Sequence, residues 1–300
     1  MQLVILSRRP DCYSTQRLFA EAQAQGHHTR ILDTLHCYIH LAPTAPTVRY
    51  HHESLTNVDA IIPRLSPNMT FYGAAILRQF EAMRTFVLNS SLSITRARDK
   101  LRSLQILARK GLQLPITGCA HSPQDIQRLI SDVGGPPLII KLLGGTQGIG
   151  VVLADTQHTA ESLIQTLLDL KAYAIVQEYI KEAEGADIRC FVIGDQVVAA
   201  MKRQARAGDF RSNLHRGGHA EPIALTEQER QVAIAATNAL RLNVAGVDLL
   251  RSKRGPLILE VNASPGLEGI EKTTELNIAK QIIEYIEKNA KPNTDERYEG

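Results

Sequence analysis

Apolar positions open the chain as a short continuous run. Residues 2–6 read as a buried strand, and a polar loop follows. Leu18, Phe19 and Ala22 then recur at helical spacing up to Gly26. Further strands at residues 29–32 and 59–63 make this opening a βαβ-type unit with a small, mostly parallel sheet. Residues 40–57, with Pro43 and Pro46, read as a loop or a hairpin insertion. No GxGxxG follows the first strand, which argues against dinucleotide binding there.

A second unit begins near Ser93. Its first helix runs through Leu101, Leu104 and Leu107 to a C-capping Gly111. Ser122-Pro123-Gln124-Asp125 predicts another helix start, with Ser122 as N-cap. Strands are expected at residues 138–142, 150–153 and 174–180, with a helix at 159–170 between the last two. The third part reads as antiparallel. Gly194-Asp195 joins two strands as a hairpin, and Thr226 with Glu229 predicts a capping box on a helix ending near Leu240. Strands at 245–251 and 257–262 turn around residues 253–256, and a last helix covers 278–288. The expected division is an N-terminal domain at 1–95, a second lobe at 96–185, a third at 186–290, and a frayed polar tail at 291–300.

The last hairpin carries the first candidate chemistry. Side chains two apart share a strand face, so Glu260 and Asn262 point together. A turn centred on Arg254 sets Asp248 opposite Glu260. Facing carboxylates repel unless a cation lies between them, and Asp, Glu and Asn supply the hard oxygens that Mg²⁺ prefers. An exposed polar hairpin face is the alternative. A second signal is Lys141 at a strand end, followed by a loop with four glycines between Gly144 and Gly150. Such a loop lets backbone N–H groups approach phosphates, although a flexible turn has the same composition. No GK[ST] closes it, so it is not a Walker A loop. Third, the strand end Gln177-Glu178-Tyr179-Ile180 can meet an adenine edge, with Asp187 beyond it. Fourth, the stretch from Lys202 and Arg203 to Arg211-Ser212-Asn213 and Arg216 suits phosphates or carboxylates. A solvated basic face is the plainer reading.

Composition changes little. A formal net charge of +3 does not argue for nucleic acid, and only Phe210 interleaves with the basic stretch. The four cysteines lie far apart without metal spacing, and no apolar run spans a bilayer. A reduced, cytoplasmic protein is expected, with no membrane partner and no direct nucleic-acid contact. His27-His28 and His51-His52 lie outside any metal motif.

The order of these signals resembles the ATP-grasp superfamily. KLLGGTQGIGVVLA, VQEYIKEAEGADIRCFVIG, GDFRSNLHRGG, AGVDLLRS and LEVNASPGLEGIEKTT look like the RimK family of α-L-glutamate ligases, and the resemblance covers nearly the whole chain. It implies a mixed α/β and α+β architecture, an ATP-grasp fold behind a Rossmann-like pre-ATP-grasp domain. It also implies ATP as substrate and two Mg²⁺ or Mn²⁺ ions on Asp248, Glu260 and Asn262. Lys141 and Lys100 would contact phosphates, Glu178 and Tyr179 the adenine edge, and Asp187 the ribose. Arg211, Ser212 and Asn213 would close from the opposite lobe. Arg203 and Arg211 are the candidates for stabilising an oxyanion. The implied partners are L-glutamate and a protein acceptor, by resemblance the C-terminus of a small-subunit ribosomal protein, and a homo-oligomer is admitted. Gly144 departs from the family pattern, which carries an acidic residue there. Ligation to a small amino acid, free poly-α-glutamate synthesis and a non-catalytic nucleotide- or RNA-binding role are the rival readings.

Overall fold

The computed structural model describes residues 1–43, 45–144, 149–206, 208–212, 214 and 217–291. The N-terminal unit contains β1 (Gln2–Ser7), α1 (Tyr13–Ala24), β2 (His28–Leu32), β3 (Cys37–His40), β4 (Thr47–Tyr50), β5 (Glu53–Ser54), β6 (Ala60–Arg64), α2 (Thr70–Ala82) and β7 (Phe86–Val87). Its main sheet runs β2-β1-β6-β7, all parallel. Residues 3–6 of β1 are all buried, the pattern of a parallel strand covered on both faces. Leu3 and Ile5 pack with Leu18 of α1, whereas Val4 and Leu6 pack with Ile76 and Phe80 of α2. The insertion is a three-stranded antiparallel sheet, β3-β4-β5, and it begins three residues earlier than the polar composition suggested, at Cys37.

The next segment holds α3 (Ser91–Arg98), α4 (Lys100–Arg109), β8 (Thr117–Gly118), α5 (Ile126–Asp132), β9 (Leu138–Leu142), β10 (Val151–Ala154), α6 (Gln157–Asp169) and β11 (Ala174–Glu178). The sheet order is β10-β9-β11-β8, antiparallel throughout. Leu138, Ile140 and Val176 pack under α5 and α6. Alternation therefore turns Lys141 and Gln177 to the other face. Ser122 takes the N-cap position, but of a 3₁₀ turn over Pro123–Asp125 that precedes α5, and it makes no side-chain capping bond: its hydroxyl donates to Gln124 Oε1 at 2.6 Å. Residues 145–148 of the glycine-rich loop, Asn213, and residues 292–300 of the expected tail lie outside the described residues.

The third segment comprises β12 (Ala186–Ile193), β13 (Gln196–Gln204), β14 (His219–Pro222), α7 (Glu227–Ala239), β15 (Val244–Ser252), β16 (Gly255–Asn262), α8 (Glu268–Thr274) and α9 (Ile278–Asn289). Its antiparallel sheet runs β14-β13-β12-β15-β16. Both halves of the capping box predicted at Thr226 and Glu229 are made. Cys190, Val192, Val247, Leu249 and Ile258 share one core with Ala233 and Ala236 of α7. On the opposite face Phe191, Ala199 and Met201 pack with Leu267, Ile270 and Ile282. Charged residues occupy the remaining end of that second face, where the helices do not cover it.

The final hairpin turns more tightly than expected. Ser252 pairs with Gly255, leaving Lys253 and Arg254 as the turn, and Gly255 adopts φ +95°. That turn alone would set Leu259 against Asp248. A bulge between Asp248 and Leu249 shifts the register, so Asp248 faces Glu260 after all. The bulge also lets Ile258 and Val261 enter one core, leaving Glu260 and Asn262 on the other side.

Candidate functional site

Three strands of the third sheet bring four charged side chains into one network. Asp187 is opposite Arg203 across β12 and β13, and Arg189 is opposite Asp248 across β12 and β15. Arg203 donates to Asp187 through Nε at 2.7 Å and Nη2 at 2.6 Å, and its Nη2 also lies 2.8 Å from Asp248 Oδ2. Arg189 forks onto both oxygens of Asp248, with Nη2 to Oδ2 at 2.7 Å. Ser212 Oγ adds a bond to Asp187 Oδ2 at 2.7 Å. Asp187, Arg203 and Asp248 are all buried. Burial works against the charge on Asp248, but Arg189 and Arg203 outweigh it and hold its carboxyl below the usual range. For Arg203 burial is likewise outweighed, by Asp248 and Asp187, and its guanidinium is held well above its ordinary value.

This pairing corrects the electrostatic argument for a cation. Facing Asp248 and Glu260 do not need a metal to coexist, because two arginines already compensate Asp248. Glu260 is different. It is exposed at the open end of the face, and its Oε1 accepts from Asn262 Nδ2 at 2.9 Å. The surrounding protein pushes its carboxyl up, Asp248 adds to that, and Arg189, Lys141 and Arg203 pull against it. Glu260 and the side-chain oxygen of Asn262 form an accessible hard-oxygen pair, with the buried Asp248 opposite Glu260 on the neighbouring strand. Among the described residues no three His, Cys, Asp or Glu side chains gather into a closed metal cage. A set of two carboxylates and one amide suits an ion that completes its shell with phosphate oxygens and water, as Mg²⁺ does.

Across the cleft, Lys141 Nζ donates to Gln177 Oε1 at 2.6 Å. Gln177 is buried, and its Nε2 donates in turn to Thr117 Oγ1 at 2.8 Å. This chain of bonds holds the lysine, and among the described residues no acid is hydrogen-bonded to it. Burial pushes the Lys141 ammonium down to about 8, with Lys100 adding to that while Glu260 and Asp248 oppose it. Lys100 Nζ donates to Leu143 O at 3.2 Å, and burial lowers its ammonium too, against Glu260. The two lysines and Glu260 are thus within mutual electrostatic reach.

The residues expected at the nucleotide are differently engaged. Glu178 Oε2 accepts from Ile116 N at 3.0 Å and pairs with Arg254 on the β15–β16 turn. Tyr179 is half-buried beside it. Asp187 is enclosed, and Arg203 and Ser212 already use both of its oxygens, so a ribose hydroxyl would have to share them. Arg211 is not drawn into the central network: Nε and Nη2 fork onto Asp209 at 2.9 and 3.0 Å, and its guanidinium lies 5.4 Å from the Phe210 ring centroid. The sequence assigns Arg189 no role, and it reads Gln177 only as part of the strand end at an adenine edge, not as the partner of Lys141. The available signal was period two, since Arg189 follows Asp187 by two on a strand and Gln177 sits on a strand beside Lys141's.

The chain matches known proteins end to end. A family model described as RimK PreATP-grasp domain matches residues 1–94, and one described as RimK-like ATP-grasp domain matches residues 97–286. A protein of Coxiella burnetii named "Probable alpha-L-glutamate ligase" is 61% identical over 301 residues, covering 100% of each chain. One of the same name from Chromohalobacter salexigens is 62% identical over 290 residues, covering 97% of this chain and 96% of that one. Among solved structures, the ATP-grasp ligase PsnB complexed with a minimal precursor superposes at TM-score 0.76 with 22% identity, covering 96% and 98% of the two chains. A RimK domain ATP-grasp protein from Sphaerobacter thermophilus superposes at 0.70 with 18% identity, covering 95% and 99%.

Proposed function

This chain belongs to the RimK-like ATP-grasp family, and on that premise we propose that it adds L-glutamate to the C-terminal carboxylate of a small-subunit ribosomal protein. The proposed route is an acyl phosphate. The acceptor carboxylate attacks the γ-phosphorus of ATP, the bond to the ADP oxygen breaks, and glutamate's amine then attacks the acyl carbon as phosphate leaves. The full-length likeness to proteins named α-L-glutamate ligases supports the choice of amino acid.

The observation that carries the chemistry is the meeting of Lys141 with the Asp248–Glu260–Asn262 face across one cleft. Lys141, steadied by Gln177, holds a compact positive charge toward the phosphates. Glu260 and Asn262, with Asp248 behind them, would hold Mg²⁺ or Mn²⁺, two ions in the fullest arrangement. A bound divalent cation supplies neutralisation of the charge that gathers on the transferring phosphoryl group. Lys100 is assigned to the same phosphates, Glu178 and Tyr179 to the adenine edge, and Asp187 with Arg211 and Ser212 to the remaining nucleotide contacts. Arg203 acts mainly by holding Asp248 and Asp187, which leaves Arg211 as the more available oxyanion partner.

The described residues contain no helix long and apolar enough to cross a membrane. The test is a panel of amino acids and carboxylate acceptors with ADP release as readout, joined to mass spectrometry of ribosomal proteins from cells with and without the gene. Glutamate-dependent ADP release and a ladder of glutamate additions on one small-subunit protein are expected. Turnover with glutamate but no ladder would move the acceptor to a small molecule or to free poly-α-glutamate. No ADP release with any pair would leave a non-catalytic nucleotide-binding protein.

A further inference from the structure

At the C-terminal edge of the parallel N-terminal sheet, Arg64 ends β6 and reaches the loop that follows β16. Open parallel sheets bind ligands at this edge, because the loops that shape a crevice leave the strands there. Arg64 Nη1 donates to Pro265 O at 2.9 Å, its one hydrogen bond among the described residues. Nε and Nη2 form the edge of a guanidinium that can fork onto a carboxylate, and here they have no partner and are not sealed from solvent. Burial lowers its charge affinity, and its electrostatic neighbours are the Cys12 thiol and the like-charged Arg98, with no carboxylate between them. Arg17, Arg189 and Arg203, also partly or fully buried, each meet a carboxylate. Arg64 and Arg98 have none, and of the two it is Arg98 that spends both terminal nitrogens on the protein's own oxygens.

The strand end that carries Arg64 is also well fixed. Arg98 binds the carbonyls of Leu65 and of Ser66, the latter at 2.9 Å, together with Thr70 Oγ1 at 2.8 Å, which pins the loop after Arg64. Ser264 Oγ donates to Pro63 O at 3.3 Å, stitching β6 to the far side of the crevice. This crevice adjoins the Asp248 network. A Cβ on Gly246 would lie 3.0 Å from Pro265 Cβ and 3.4 Å from Arg189 Nη1, so Pro265, held by Arg64, and Arg189, held by Asp248, flank the same gap. Arg64, Asn89, Phe191 and Ser264 line a small cavity at this junction.

We propose that Arg64 binds a free carboxylate of the incoming amino acid through Nε and Nη2, and so selects that substrate and positions its amine beside the Asp248–Glu260 face. The proposal rests on the ligase reading above. It also answers a chemical need. An amino-acid substrate carries carboxylates of its own, and one left near the phosphates would be activated in place of the acceptor. Arg64 is tied through Pro265 O to the loop that follows Asn262, and a carboxylate forked onto it would be engaged rather than free to attack ATP.

The test uses the full-length enzyme with Mg-ATP, an acceptor, and three amino acids: L-glutamate, L-glutamine and the α-amide of glutamate. Arg64→Gln is expected to raise the KM for glutamate about 10- to 100-fold, the range of a charge-assisted fork, while the KM for ATP stays within about twofold. The analogue whose neutralised group is the one Arg64 binds should show no further loss in the variant, which tells the α-carboxylate from the γ-carboxylate. Arg64→Lys, which keeps a donor for Pro265 O, should melt with wild type and recover only part of the KM. An unchanged glutamate KM, or an equal rise in the KM for ATP together with a lowered melting temperature in both variants, overturns the proposal. If wild type uses another amino acid, only the choice of glutamate falls, and that amino acid's KM decides Arg64. If wild type releases no ADP with any amino acid, the ligase reading falls and takes this proposal with it.

Discussion

Replacing Arg203 with Met tests whether the buried arginine–aspartate network is one unit. Arg203 makes two bonds to Asp187, at 2.7 and 2.6 Å, and a third contact of 2.8 Å to Asp248. Its side chain and those of both partners are almost wholly enclosed. Two arginines and two aspartates balance; without Arg203, Asp187 keeps only the Ser212 hydroxyl and one negative charge is left uncompensated in the interior. Breaking a buried pair from one side costs about 3–5 kcal/mol, which for a chain of this size corresponds to a melting temperature lower by roughly 5–10 °C. Removing the orphaned charge as well, with Asp187→Asn, should return at least about half of the loss. The assay is thermal unfolding of wild type, both single variants and the double variant, with ADP release measured alongside. Activity should stay low in the double variant, because Asp248 has lost the partner that sets its position. A double variant whose loss equals the sum of the single losses, or an Arg203→Met that melts within about 1 °C of wild type, would refute the coupled network.

Lys141, held down to about 8, loses its charge in the free enzyme well before an ordinary lysine, so the KM for ATP should climb between pH 8 and 9 and stay flatter in Lys141→Arg. The same lowered value has a stability consequence of definite sign. Above about 8 and below the ordinary 10.5 the unfolded chain keeps the proton that the folded one has released, so this lysine's contribution to ligand-free stability, read by thermal scans, rises with pH across that window. Glu260→Gln should abolish at least 99% of Mg²⁺-dependent ADP release, an effect on the order of 100-fold. It should not lower the melting temperature at neutral pH, because the surrounding protein and Asp248 raise the folded carboxyl's proton affinity and the charge's removal relieves that. Asn89→Ala removes four bonds at once, from Nδ2 to Val244 O and Ala263 O and from the Asn243 and Val244 amides to Oδ1, at a buried position. It should cost on the order of 3–5 kcal/mol and lower the melting temperature without a selective rise in any one substrate's KM.

Local signals carried much of the fold because they are written in neighbouring residues. The continuous apolar run of β1, Gly26 at φ +81° after α1, the Gly194-Asp195 turn and the Thr226–Glu229 box each need only a few consecutive positions. Elements without such punctuation went unread. Helix α2 starts without a side-chain cap, and its Gly73 and Thr70 look like loop residues. Gly73 is there because Leu65 lies against it, with Cδ1 2.5 Å from where a Cβ would stand, and that contact comes from the loop before the helix. Ser122 failed in the opposite sense. The residue types of a cap were present, yet its hydroxyl found the side chain of Gln124 and left the backbone amides to a 3₁₀ turn.

The site was legible as a set of residue types and illegible as an electrostatic object. Asp248 and Glu260 are joined by a hairpin, so their opposition could be inferred from one turn, although the tighter turn and the bulge had to offset each other for that register to hold. Arg189 lies 59 residues from Asp248 in the chain, and only the pairing of β12 with β15 brings them together. The inference that facing carboxylates demand a cation assumed an isolated pair, and long-range pairing removed that premise. What replaces it is more discriminating. Asp248 is balanced by arginines before any ligand arrives, whereas Glu260 faces the cleft with an amide for a neighbour and two lysines at longer range. On the proposed metal reading, a divalent charge entering this cleft would be balanced chiefly by Glu260, while Asp248 would contribute a direction held rigid by Arg189 and Arg203. The two carboxylates are chemically identical groups with unequal tasks, and substitution should separate them: loss of Glu260 acts on metal dependence, and loss of an Asp248 partner acts on stability and activity together.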